Sequence, residues 1–359
     1  MIKEAIAKVV RGDDMNEEEM KMAMEEILTG KATPAQIGSF ITALRIKGET
    51  VDEITGAARA MRERAERIGL NNHIVNIDRD EINVEDETIL DTSGTEGDGT
   101  NTFNVSTATA LVVAGGGIKV AKHGHRRVSS HCGSADVLEA LGLKLDMNTS
   151  NVERCIQEVG IGFLYAPQFY GTMKYPTGPR REIGIRTIFN LLGPLTNPAG
   201  ATAQVMGVYD ADLTEKMAHV LKRLATREAF VVCGEGTFDE ISICGPTRIS
   251  HLKDGRVTTF TITPEDYGLK RAKPDDIRGG SAKDNARIIR EILEGQRGPK
   301  RDIVLLNAAA AFVAAGFDSD FREGIKRAKD VIDSGRAREK LDALVSFTQQ
   351  CTYFVRREL

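Results

Sequence analysis

Asp91-Thr92-Ser93-Gly94-Thr95-Glu96-Gly97-Asp98-Gly99-Thr100-Asn101-Thr102-Phe103-Asn104-Val105-Ser106-Thr107 is the stretch whose reading decides the fold. An apolar run from Ala108 to Ala114 follows, then a short strand pattern at Ile118 to Ala121. A second loop comes next, Lys122-His123-Gly124-His125-Arg126-Arg127-Val128-Ser129-Ser130. Glycines let backbone N–H groups approach an anion, and hydroxyls with a helix N-terminus supply further donors. Lys122, Arg126 and Arg127 add the cations that hold phosphate. Alone, the first loop is an ordinary turn and the second a solvated basic surface. Because the two flank one predicted strand and helix, their ends converge, and together they predict a polyphosphate cradle. It is not a common nucleotide template. No Gly-x-x-x-x-Gly-Lys-Ser/Thr occurs, and Gly94, Gly97 and Gly99 lack the spacing of a dinucleotide fingerprint.

Outward from this stretch, the chain alternates short β-rich runs with helical segments. The runs are Ile118 to Ala121, Val205 to Val208, Ala229 to Cys233 and Ile303 to Leu306. Such alternation predicts an α/β fold with a mainly parallel sheet covered by helices. Lys253-Asp254-Gly255-Arg256 signals an antiparallel hairpin between Ile249 and Thr261. Residues before about Leu70 read as helices. Asn16 precedes Glu19, Thr33 precedes Pro34 at a first helical position, and Thr50 precedes Glu53. Ile37, Phe40, Ile41 and Leu44 recur at helical spacing and form a buried stripe. The polar stretch Asn71 to Glu87 reads as a linker.

At 359 residues the chain can form two or three domains, and a formal net charge of -4 argues against a dedicated nucleic-acid binder. Five cysteines, odd in number and without a Cys-x-x-Cys pair, suit neither a disulfide framework nor a zinc site. Met1-Ile2-Lys3-Glu4 starts no apolar signal region, and the longest apolar tract, Ile303 to Phe317, is too short for a bilayer and is broken by Asn307. A soluble, cytoplasmic protein is expected.

The motifs in these loops and further along the chain together resemble the anthranilate phosphoribosyltransferase family over nearly the full length. Gly94 through Asp98 is similar to the family's Gly-Thr-Gly-Gly-Asp loop, and Asn104 through Thr107 to its Asn-x-Ser-Thr segment. Lys122 through Arg126, followed by Ser129-Ser130 and Gly133-Ser134-Ala135-Asp136, is similar to the Lys-His-Gly-Asn-Arg loop. Arg180 through Thr187 runs into the signature Phe189-Asn190-Leu191-Leu192-Gly193-Pro194-Leu195-Thr196-Asn197-Pro198. Asp239-Glu240 resembles the family's acidic metal pair, although alone it is an ordinary acidic turn.

The resemblance implies transfer of phosphoribose from 5-phosphoribosyl 1-diphosphate to anthranilate in tryptophan biosynthesis. It implies a nucleoside phosphorylase/phosphoribosyltransferase type of fold. In that fold a small N-terminal helical domain, residues 1–72 with a helical insertion near 171–196, joins a larger α/β domain made of 73–170 and 197–359. Gly94, Gly97, Asp98, Thr102, Asn104, Val105, Ser106, Thr107, Lys122, Ser129, Ser130 and Ser134 are the implied phosphoribosyl diphosphate contacts. Ser134 also reads as an N-cap. Gly94, His125, Tyr170 and Arg180 are the implied acceptor contacts, Arg180 facing the carboxylate, with a structural ion pair to Glu182 as its competing role. Ser106, Asp239 and Glu240 would hold Mg2+, two ions per subunit, in a homodimer. An aromatic amine is already neutral at pH 7, so no catalytic base is assigned.

Glu96, His125 and Phe169-Tyr170 depart from the family pattern, all at substrate positions. They keep open a paralogous transferase with another aromatic or heteroaromatic acceptor. A non-catalytic relative that binds nucleic acid through Arg126-Arg127 or Lys300-Arg301 is the remaining alternative.

Overall fold

The computed structural model describes residues 1–70, 73–78, 81–95, 99–126 and 132–351, with 73–78 and 81–86 as backbone alone. Four helices begin the chain: α1 (Ile2–Val10), α2 (Glu17–Leu28), α3 (Pro34–Lys47) and α4 (Val51–Arg64). Each of the last three starts in a capping box. Asn16, Thr33 and Thr50 accept the N–H of Glu19, Gln36 and Glu53, whose side chains accept the caps' own N–H groups. Ile37, Phe40, Ile41 and Leu44 are buried along α3, as their spacing predicts.

The stretch read as a linker is instead an antiparallel pair, β1 (His73–Asp78) and β2 (Glu81–Asp86), with Val75 opposite Val84 and Ile77 opposite Ile82. Its β-branched residues favour strands, which average polarity obscures.

Then follow β3 (Ile89–Gly94), α5 (Val105–Gly115), β4 (Lys119–Gly124), α6 (Ser134–Leu141), α7 (Thr149–Val159), β5 (Ile161–Tyr165) and α8 (Ala166–Phe169). The segment from Gly171 to Leu195 is helical, with α9 (Lys174–Ile183) and α10 (Ile188–Leu192) as its main pieces. After it come β6 (Ala203–Gly207), α11 (Leu213–Arg223), β7 (Glu228–Gly234), β8 (Thr247–Lys253) and β9 (Arg256–Ile262). Four helices close the chain: α12 (Ala282–Leu293), α13 (Pro299–Ala314), α14 (Phe321–Asp333) and α15 (Arg336–Gln350).

The main sheet has seven strands in the order β5-β4-β3-β6-β7-β8-β9. The first five are parallel, and β8 and β9 complete it antiparallel. Asp254 (φ 49°) and Gly255 (φ 69°) turn the β8–β9 hairpin through the positive-φ pair that matches strand twist. The run Ile303 to Leu306 is not a strand but part of α13. Fully buried runs lack the periodicity that separates helix from strand.

Alternate strand residues feed two apolar cores. Leu90, Val120, Phe163, Val205 and Phe230 pack against α5, α13 and α14. Ile89, Ala121, Leu164, Met206 and Val231 share the other core with Phe40, Ile41, Leu44 and Ile54 of the helical bundle. Helix α9 lies on α2 and α3, and α10 on α3 and α4. The bundle is thus welded to one sheet face. No helix among the described residues is long and apolar enough to cross a membrane.

Inside the bundle, the buried Glu53 carboxylate accepts N–H bonds from Met15 (3.0 Å) and Thr50 (2.8 Å) and an ion pair from Lys47 (3.0 Å). Glu53→Ala leaves two amides and a nearly buried ammonium short of an acceptor, so it should lower stability by about 3 kcal/mol in denaturant titration. Lys47 also donates to Asp14 (2.6 Å) and to the Gly48 carbonyl (2.9 Å), and a change below about 0.5 kcal/mol would show that these two acceptors suffice for it.

Candidate active site

After β3 the chain adds β4 and β5 on one side, then returns to place β6 on the other, so β3 and β6 meet at the topological switch point. In open α/β sheets the crevice lies outside the carboxyl ends of strands at that point. A cleft of about 1040 Å3, its open mouth included, occupies this position.

The acidic turn after β7 reaches it by close approach. A Cβ on Gly207 at the end of β6 would lie 1.6 Å from the Asp239 carbonyl oxygen, and one on Gly94 at the end of β3 would lie 2.6 Å from Asp239 Oδ2. At Gly207 only glycine admits the turn's backbone, whereas at Gly94 a methyl group would displace the Asp239 carboxylate. Glu240 then extends to the N-terminus of α5, where Oε1 accepts the Ser106 N–H at 3.0 Å. Asn104, at the N-cap, makes no side-chain capping bond, so this distant carboxylate meets the positive end of the helix.

On the opposite wall Lys122 is buried, donating to the Thr92 carbonyl (2.6 Å) and the Ser106 hydroxyl (3.2 Å). Behind it the buried Asp91 accepts from the His123 N–H (3.2 Å) and Ser93 Oγ (3.1 Å). Burial pushes the Asp91 carboxyl up, opposed by the charge of Lys122 and by hydrogen bonds from Asn197, His123 and Ser93. His123 lines the cleft, with its ring 5.6 Å from that of Tyr170.

The third wall is a strap. Gly279 N–H donates to the Asn101 carbonyl (2.9 Å), and Asn285 donates to Asn104 Oδ1 (2.9 Å) while accepting from Gly280 N–H (2.8 Å). Asn104 in turn donates to the Cys132 carbonyl (3.1 Å). The strap and Asn285 escaped the sequence reading; only the Gly279-Gly280 pair before the Ser281 cap marks a helix start there.

Of the residues expected to act, Gly94, Thr102, Asn104, Val105, Ser106, Lys122, His125, Ser134, Asp239 and Glu240 line this one cleft. Thr107 is buried within α5, and Tyr170 is buried behind the cleft wall. Arg180 does not line the cleft. It stands on α9 with its guanidinium 5.0 Å from the Phe189 ring centre, and burial lowers its pKa. Gly97, Asp98, Ser129 and Ser130, with Glu96, lie outside the described residues. Ser134 is the first residue of α6 rather than its cap; Gly133 is the N-cap, with Asp136 accepting its N–H at 3.0 Å. Arg126 and Arg301, raised as nucleic-acid contacts, pair internally with Glu139 (2.7 Å) and Asp333 (2.7 Å).

No group of three or more His, Cys, Asp or Glu side chains disposed to hold a metal ion is present among the described residues. Two carboxylates and a hydroxyl nevertheless fit magnesium, which takes few protein oxygens and completes its shell with water and substrate phosphate.

Residues 86–338 match the α/β domain, and residues 3–65 the helical bundle domain, of a glycosyl transferase family. An anthranilate phosphoribosyltransferase of Geotalea uraniireducens is 58% identical over 350 residues, covering 98% of this chain and 100% of the relative. The chain belongs to the anthranilate phosphoribosyltransferase family. Another member, from Geobacter sulfurreducens, is 57% identical over 98% of this chain and 100% of its own length. The crystal structure of the Thermus thermophilus member superposes with a TM-score of 0.87 at 40% identity, covering 96% of this chain and 99% of the other. The Saccharomyces cerevisiae member in complex with PRPP and Mg gives 0.86 at 28% identity, with 98% of each chain covered. The same yeast protein is also known in complex with 4-fluoroanthranilate, at a TM-score of 0.85, 28% identity and 98% coverage of each chain.

Burial, chiefly, and then the neighbouring His125 lower the His123 pKa to about 3, against the opposing Gly193 carbonyl, with Lys122 adding a smaller push downward. Unfolded chain protonates near pH 6.5. Above that pH neither state carries the proton and the group is silent. Below it the unfolded state takes a proton that the fold refuses, so stability falls as pH drops. The slope from this residue is at most about 1.4 kcal/mol per pH unit. Melts from pH 7 to 4.5 should therefore show a steeper loss for the native protein than for His123→Gln, and parallel curves would contradict the neutral assignment.

Proposed function

We propose that this chain transfers the phosphoribosyl group of 5-phosphoribosyl 1-diphosphate to the amino group of anthranilate, releasing pyrophosphate. The observation that carries the reading is the convergence of Asp239, Glu240, the α5 N-terminus and Lys122 on one cleft. As the anomeric C–O bond breaks, negative charge collects on pyrophosphate and positive charge on the ribose ring. Lys122 faces the leaving group with a charge fixed in advance, so it needs no reorganisation as charge develops, and the positive end of α5 adds to the field there. Magnesium, when held by Asp239, Glu240 and the Ser106 hydroxyl, neutralises pyrophosphate charge as a Lewis acid. The yeast relative's complex with PRPP and Mg supports this use, and we assign two ions per subunit.

Asn104, Thr102 and Ser134 provide hydrogen bonds to the phosphoribosyl group, and we assign the same role to Gly97, Asp98, Ser129 and Ser130. The acceptor enters beside Gly94 and His125 with Tyr170 behind, its carboxylate turned toward Arg180. The yeast complex with 4-fluoroanthranilate supports an aromatic acceptor. We further assign residues 1–72 with 171–196 to a helical domain, and 73–170 with 197–359 to the α/β domain. A homodimer through the helical domain accords with the exposed apolar side chains Val10 (67%) and Ile46 (82%). The cytoplasm suits such a biosynthetic enzyme.

Incubation with 5-phosphoribosyl 1-diphosphate, magnesium and anthranilate should consume anthranilate fluorescence and release pyrophosphate in equal amounts. Binding of the diphosphate without anthranilate loss would move the acceptor to another aromatic amine. Asp239→Asn with Glu240→Gln should lower turnover by roughly two to three orders of magnitude at unchanged fold, by analogy with loss of a preorganised charge-stabilising group; near-native rates would refute the metal assignment. Arg180→Ala should raise the KM of anthranilate well above tenfold while that of the diphosphate moves little, and equal rises would remove Arg180 from the acceptor pocket.

A further inference from the structure

Helix α13 is buried at every residue from Ile303 to Ala314, and Asn307 is the polar side chain in that run. A side-chain amide in such surroundings is unfavourable unless its hydrogen bonds are made. All of those made here are short and specific. Asn307 Nδ2 donates to the carbonyl of Ile303 in its own helix (2.9 Å) and to the carbonyl of Ile241 (2.9 Å), while Oδ1 accepts the Ile241 N–H (3.0 Å). Because one neighbour atom is a donor and the other an acceptor, only one orientation of the amide satisfies both.

Ile241 directly follows Glu240. The amide therefore grips both backbone groups of the residue beside the acidic pair, as a neighbouring strand would. The rest of the turn is pinned in the same manner. Gly234 N–H donates to the Phe238 carbonyl (2.7 Å), and Ser242 N–H donates to the buried Thr247 hydroxyl (2.9 Å). Gly207 admits the Asp239 carbonyl from below. With its backbone fixed on both sides, the turn presents the Asp239 and Glu240 side chains to the cleft, which Asn307 itself does not line.

We infer that Asn307 is a positioning residue that fixes the Asp239–Glu240 pair for divalent metal and pyrophosphate. This rests on the metal role proposed above and goes beyond it by naming what holds the ligands in place. Groups that orient metal ligands without touching the metal commonly change its affinity by about ten- to a hundredfold when lost.

The test uses the full-length protein with Mn2+ as the probe ion and inorganic pyrophosphate as the anion, free Mn2+ being read by electron paramagnetic resonance. Asn307→Leu keeps similar volume and removes all three hydrogen bonds. At a temperature where circular dichroism shows it folded, its Mn2+ dissociation constant should rise about tenfold or more. Half-saturating Mg2+ in turnover should rise in step, with the KM of anthranilate unchanged. Thr247→Val, which removes the milder constraint on Ser242, should shift the same constants in the same direction and supplies the measurement where the leucine variant fails to fold. A lower melting temperature with native Mn2+ affinity, in Asn307→Leu when it folds and otherwise in Thr247→Val, would make the amide a core stabiliser only and overturn the inference. A native protein that consumes substrate but binds no Mn2+ with pyrophosphate would overturn the metal reading, and the inference with it.

Discussion

The contact on which the cleft depends is the Glu240 carboxylate against the N–H of Ser106, made at 3.0 Å between residues far apart in sequence. It joins the turn after β7 to the first turn of α5, and so ties two strands' worth of chain to one point in space. A carboxylate there is favourable because the helix terminus carries partial positive charge and unpaired N–H groups. The same terminus is where a phosphate group would bind, so acid and substrate compete for it unless a cation lies between them. That arrangement makes the site intelligible as a metal and pyrophosphate cradle rather than a simple anion hole.

Rigidity around this contact comes from two sources. The parallel strands supply a platform whose alternate residues are buried on both faces, and the helical bundle is held against one face through a shared apolar core. The side chains that line the cleft therefore stand on a closely packed scaffold. Close approach does the rest: at Gly207 and Gly94 even a methyl group would collide with Asp239. Buried side-chain amides then finish the work at long range, Asn307 on the acidic turn and Asn285 on the strap beside Asn104.

Much of this was readable from the chain because it is local. Capping boxes, the Asp254-Gly255 hairpin and the glycine-hydroxyl loops are short patterns whose physics is contained within a few residues. The cleft members that the loops predicted, such as Ser106 and Lys122, were found for the same reason. Asn307 looked like an interruption in an apolar tract, since the partner that explains it, Ile241, is 66 positions away. Uniform burial erases periodicity, so the run Ile303 to Leu306 reads as a strand although it lies in α13, and the β1–β2 pair reads as a linker because its strand-forming residues are diluted by polar neighbours. Gly207 carried no signal at all, its importance arising from a carbonyl that only the fold brings near. Family resemblance supplied the acidic pair's role, which spacing alone would have left as a turn.

Isothermal titration of pyrophosphate into the protein, with Mg2+ and then with a chelator, tests the central claim most directly. The account predicts saturable binding that requires Mg2+ and is largely lost in Glu240→Gln, because the carboxylate beside the α5 N-terminus must hold the cation through which the anion binds. Equal pyrophosphate affinity with and without Mg2+, or tighter metal-free binding as the only effect of Glu240→Gln, would contradict it and leave a bare helix-terminus anion site.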